Sequence, residues 1–91
     1  MRFAYQPSFL QTTARLSRVR AARLFKSIQK FQTALEIGQW PVGLGMTHLR
    51  GDCFEFRVDL HRRVLYHRTG DLVTYILYGS HDDVRRFLKR L

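Results

Sequence analysis

Acidic side chains are scarce in this sequence. Seven Asp and Glu stand against sixteen Lys and Arg, a formal charge of +9. That imbalance directs attention to anionic partners: a nucleic acid, an acidic protein or an anionic membrane surface. Cysteine is scarcer still. Cys53 alone cannot close an intramolecular disulfide, which points to a reducing compartment. With no cysteine cluster and no His-Glu-x-x-His spacing, the sequence offers no structural zinc site and calls for no metal or other cofactor. Its opening MRFAYQPSF lacks the apolar core of a signal peptide, and no run approaches the roughly 18 apolar residues of a membrane span. The expectation is a cytoplasmic protein with no membrane attachment. There is no internal repeat and no low-complexity segment.

Arginine is what the chain has in excess, thirteen of the sixteen basic residues. Its planar guanidinium binds phosphates through two parallel hydrogen bonds and stacks on bases, so the bias favours a nucleic-acid partner over a merely solvated surface. The apolar fraction of 45% describes a folded chain, and 91 residues suffice for one domain, expected over 1–91.

Periodicity orders the elements. Phe3 and Tyr5 alternate with polar neighbours over Arg2 to Gln6, a short strand, and Pro7-Ser8 closes it with Ser8 as a cap for the next element. A first helix is expected from Phe9 to about Arg18. A second carries Leu24, Phe25, Ile28, Phe31 and Leu35 on one face, joins the first around Val19 to Ala21, and stops at Gly38. Gln39 to Met46 reads as a loop in which Trp40 plugs the edge of the core.

Three strands come next. Phe54, Phe56, Val58 and Leu60 face one way, and Glu55, Arg57 and Asp59 the other. The segment from His61 to His67 forms the next strand and turns at Thr69-Gly70-Asp71. Leu72 to Tyr78 is apolar throughout, as suits a central strand covered on both faces. Ser80 and Asp83 then form a capping box, and Val84, Phe87, Leu88 and Leu91 make the buried face of a terminal helix. The expected fold is α+β in the order β-α-α-β-β-β-α, a small antiparallel sheet with a helical hairpin packed on one face and a C-terminal helix.

Phosphodiester chemistry without a metal needs positive charge at the phosphate and groups that exchange protons near neutral pH. Three sets of residues answer to that. His81 stands where a central strand runs into a helix start, a natural anion site, although an exposed first-turn residue would look the same. Arg57, Arg62 and Arg63 stand on neighbouring strands. Arg57 meets one of the paired arginines on an open sheet face around a phosphate, or else joins Glu55 or Asp59 in a surface ion network of small energetic value. His48 and Arg50 lie just before the sheet, where a second proton-transfer group can approach the same face. The basic residues of the helices, among them Arg20, Arg23, Lys26 and Lys30, read as a solvated surface of general attraction.

The segments FAYQPSF, FEFRV, RRVLYHR and GDLVTYILYGSHDDV, taken in order, resemble the RelE/ParE superfamily of type II toxin–antitoxin toxins over essentially the whole chain. The resemblance implies a toxin neutralised by a partner antitoxin, expected to be acidic. On its RelE/YafQ-like side, which the histidines favour, it implies an endoribonuclease. This would cleave mRNA, on the ribosome in many members, inhibit translation, and work through attack of a 2′-hydroxyl on the adjacent phosphate. Carried over residue by residue, Arg63 would stabilise the transition state, His81 would be the general acid or base, and His48 its complement. Arg57, Arg50, Arg62 and Arg85 would contact RNA phosphates. Arg85 stands near the place where many members carry a tyrosine. The alternatives are a ParE-like inhibitor of DNA gyrase and a degenerate toxin kept as a binding protein.

Overall fold

The computed structural model describes residues 1–41 and 43–91; Val42, inside the segment expected as a loop, lies outside the described residues. The elements are β1 (Arg2–Tyr5), α1 (Pro7–Thr13), α2 (Arg18–Ile37), β2 (Thr47–Arg50), β3 (Cys53–Arg57), β4 (Arg63–Thr69), β5 (Leu72–Gly79) and α3 (His81–Lys89). They form the expected α+β fold, with one strand more than periodicity indicates. The five strands lie in the order β1-β5-β4-β3-β2. β1 runs parallel to β5, and the other pairings are antiparallel. The sheet is therefore mixed.

Helix starts and stops obey local chemistry. Pro7 begins α1, its fixed φ and missing N–H both suited to a first turn. Ser8 does not cap that helix. Its hydroxyl instead donates to the Ile76 carbonyl at 2.5 Å. α2 starts earlier than expected, because Ser17 Oγ accepts the N–H of Arg20 at 3.2 Å and so caps it. It stops at Gly38, whose φ of 70° suits glycine and whose N–H reaches Ala34 O at 2.8 Å.

α1 and α2 cover one face of the sheet. Leu24, Phe31 and Ala34 of α2 sink into Phe56, Val64, Tyr66, Val73 and Tyr75. Phe31 is the centre, with ring centroids 4.4 Å from Phe56 and 4.5 Å from Tyr66, distances at which aromatic pairs add attraction beyond area burial. α3 covers the opposite face, where Val84 packs with Cys53, Leu65, Ile76 and Leu77. The helices are thus divided between the two faces.

A β-bulge in β5 sets which of its residues face which layer. β5 pairs Leu77 with Leu65 and Tyr75 with Tyr66, leaving Ile76 as an extra residue. Ile76 and Leu77 consequently both face α3, while Tyr75 and Tyr78 face α1 and α2. Hydroxyls of α1 occupy the backbone groups beside the bulge: Ser8 takes Ile76 O, and Tyr78 N–H donates to Thr12 Oγ1 at 3.1 Å.

Candidate active site

β3 and β4 are joined by a tight turn over residues 58–62, and both ends of it are fixed. Val58 N–H donates to Arg62 O at 2.9 Å, and Asp59 Oδ1 accepts the N–H groups of His61 and Arg62 at 2.8 and 2.9 Å. Burial raises the Asp59 carboxyl pKa. The two N–H donors and the charges of Arg23 and Arg62 outweigh it, so the group lies below its ordinary value. Leu60 and His61 belong to this turn, not to the strands assigned to them by alternation, and Leu60 is 81% exposed.

At this end of the sheet, Arg57, Arg63 and Gly79 form one row across β3, β4 and β5. Two arginines directly opposite one another repel. The structure separates them. Arg57 lies along Gly45, with its Cβ 3.3 Å and its Nε 3.5 Å from where a Gly45 Cβ would stand. Arg63 turns to Glu55, Nη1 donating to Oε1 at 3.4 Å.

That contact is longer than a tight charge-assisted bond. Glu55 is only 3% exposed, and its Oε2 is buried without a hydrogen-bond partner among the described residues. The other N–H groups of Arg63 have no partner among the described residues. The arginine is held loosely, with most of its donors available.

The last strand delivers the histidine. Gly79 ends β5, and a side chain there would meet Asp83 Oδ2 at 2.8 Å, so only glycine fits. Ser80 caps α3 in a complete capping box: Asp83 N–H donates to Ser80 Oγ at 3.1 Å and Ser80 N–H to Asp83 Oδ2 at 2.9 Å. The backbone and hydroxyl bonds from Ser80 hold the Asp83 carboxyl below its usual range. His81, the first residue of the helix, is exposed. It lines a cleft of about 300 Å3 together with Leu60, His61, Arg62, Arg63, Ser80 and Asp82.

The expected site residues separate into groups. Arg63, His81 and Arg62 share this cleft. His48 does not join them. It lies directly opposite Phe54 in β2–β3, with ring centroids 4.9 Å apart, and Phe54 stacks on the core ring of Tyr66. It is therefore on the α2 face of the sheet, while Arg63 and Glu55 are on the α3 face. Its Nε2 is 2.7 Å from Gly51 O. Arg50 reaches across to α3 and donates to Leu88 O at 3.3 Å, as cations do at helix C-termini. Arg85 is exposed on α3 and lines no part of the cleft, and Arg57 lines a separate depression beside Ser27 and Lys30.

Two residues of the site lie outside the expected set. His61 is brought in by the turn, which the Asp59-Leu60-His61 sequence signals as an Asx-type turn. Glu55 is signalled by being the one carboxylate between the apolar residues Phe54 and Phe56 of a buried strand. Trp40 is half exposed, beside Ile37 and Pro41 along the end of α2, so it does not plug the core.

Among solved structures, the fold matches YafQ of the Escherichia coli DinJ–YafQ toxin–antitoxin complex, with a TM-score of 0.65 at 15% identity over 90% of this chain and 93% of that one. It also matches the Methanococcus jannaschii RelB–RelE antitoxin–toxin complex, with a TM-score of 0.66 at 9% identity over 92% and 96% of the two chains. This chain has the RelE/ParE toxin fold. The Agrobacterium tumefaciens YoeB/ParE toxin superposes equally fully, with a TM-score of 0.63 at 18% identity over 89% of this chain and 99% of that one. No family model and no curated protein matches the sequence. The likeness thus resides in the layout of strands and helices, which does not by itself carry a chemistry. Among the described residues, no helix is long and apolar enough to cross a membrane.

Proposed function

We propose that this chain is the toxin of a type II toxin–antitoxin system and acts as a metal-independent endoribonuclease on mRNA, assisted by the ribosome. The observation that carries the reading is the loosely held Arg63, with free donors, in one cleft with His81 and His61. The 2′-hydroxyl attacks the adjacent phosphorus as His61 takes its proton. The P–O5′ bond breaks as His81 gives a proton to the departing 5′-oxygen. A 2′,3′-cyclic phosphate and a 5′-hydroxyl result. Arg63 faces the charge that grows on the non-bridging oxygens, where pre-positioned donors contribute most. Glu55 positions Arg63. His48, on the other face of the sheet, is no proton carrier in this scheme.

The partner that silences the toxin is an acidic antitoxin, matched to the charge of +9. Its affinity falls steeply with added salt.

Inducible expression in a bacterium lacking the antitoxin tests the proposal, with primer extension on abundant mRNAs and a gyrase supercoiling assay run in parallel. New cuts within mRNA support the ribonuclease. Intact mRNA with blocked supercoiling transfers the protein to the gyrase inhibitors, and neither effect makes it a binding protein.

A further inference from the structure

A second cleft, of about 420 Å3, opens on the other side of the 58–62 turn. Leu60, His61 and Arg62 line both clefts, so the two are adjacent and share one wall. The second adds Arg20 and Arg23, one turn apart at the start of α2, and Asp59. Three guanidinium groups thus face one carboxylate. Asp59 offsets only one of these charges, and its Oδ1 also accepts two backbone N–H groups of the turn. Neither Arg20 nor Arg23 has a side-chain hydrogen bond or an ion pair among the described residues. The hydroxyl of Tyr78 is buried without a partner among the described residues, and Asp59, Arg62, Arg20 and Arg23 all act on it electrostatically.

A surplus of charge without partners stores repulsion that an anion relieves. A small anion would satisfy one cleft. Two adjacent cationic clefts separated by the exposed apolar crest of Leu60 suit a chain of phosphates with a sugar or base face between them.

We infer that Arg20, Arg23 and Arg62 form a second phosphate subsite, which holds the RNA strand one step beyond the phosphate that Arg63 and His81 address. This inference rests on the ribonuclease reading and extends it: the substrate is a single strand several nucleotides long, gripped on both sides of the turn. The affinity of the toxin therefore grows with strand length, and the added part is electrostatic.

The test uses uncleavable 2′-O-methyl RNA, a dinucleotide and an octanucleotide, titrated into the full chain by fluorescence anisotropy across a range of salt. The octanucleotide binds more tightly and with a steeper salt slope. Replacing both arginines, Arg20→Gln with Arg23→Gln, lowers octanucleotide affinity about tenfold and reduces the slope by about 0.7, the share of one phosphate on a single strand. The dinucleotide binds as before, which also reports that the variant is folded. Lys26→Gln with Lys30→Gln removes the same charge from the same helix and leaves the slope nearly unchanged.

Equal losses from the two double variants overturn the subsite, since the effect is then general charge. So does an octanucleotide affinity indifferent to the arginines, or a loss seen only with poly-glutamate, which assigns the cleft to an acidic protein. If the unaltered protein binds neither oligonucleotide, the ribonuclease reading fails first and the subsite with it.

Discussion

Arg63 leans on Glu55 at 3.4 Å and leaves the second carboxylate oxygen, Oε2, buried and without a partner among the described residues. A carboxylate in that position costs free energy unless a cation stays beside it. The pair therefore holds the arginine in the cleft without consuming its donors.

Removing Arg63 alone strands a buried charge. Arg63→Ala is expected to lower stability by about 3 kcal/mol. Adding Glu55→Gln to that variant recovers most of the loss, while no activity returns. Urea unfolding of the two single variants and the double closes the cycle. Additive effects would show that the two residues do not interact.

Gly79 admits no side chain, since an added Cβ meets Asp83 at 2.8–2.9 Å. Gly79→Ala pushes the capping carboxylate away and displaces His81 with it. A loss of about 2 kcal/mol in denaturant unfolding is expected, together with reduced cleavage.

Asp83 has its pKa lowered in the fold by Ser80. A depressed carboxyl contributes stability that is complete above its ordinary value of 3.8 and is lost as pH falls through the folded value. Asp83→Asn should therefore flatten the acid limb of the stability profile and leave its neutral and alkaline parts parallel to the parent's. Ser80→Ala costs about 1 kcal/mol at neutral pH. Thermal melts from pH 2 to 7 decide both.

Burial raises the phenol pKa of Tyr66 to about 12, and it raises those of Tyr75 and Tyr78 as well. A raised phenol contributes stability below its ordinary value of 10.0 that is lost as pH climbs toward the folded value. Stability should drop between about pH 10 and 12, and these three rings should ionise only with unfolding. Absorbance titration alongside circular dichroism tests this; ionisation of all four tyrosines in a native spectrum would refute it.

Elements defined by their own residues were legible in the sequence. Gly38 ends α2, Ser80 and Asp83 cap α3, and the apolar run Leu72 to Tyr78 lies between β1 and β4 with both faces covered. Features that depend on partners were not. THLR is short and polar, and becomes β2 only by pairing with β3. The extra residue at Ile76 is invisible without the opposite strand, yet it gives α3 its apolar seat.

The site divides in the same way. Arg63 and His81 stand at element boundaries that local signals mark. Sequence places His48 near the face of Arg63, but its strand gains a register only by pairing, and opposite Phe54 it stands on the other face. His61 is hidden in the sequence because alternation continues through the turn that carries it.

The most direct test of the site is primer extension on mRNA from cells expressing the unaltered chain, His81→Ala, His61→Ala, Arg63→Ala or His48→Ala, each at matched protein level. The cuts should fall at least about a hundredfold with His81, His61 and Arg63 replaced and persist with His48 replaced. Cuts that survive His81→Ala, or vanish with His48→Ala alone, would contradict the assignment of the chemistry to this cleft.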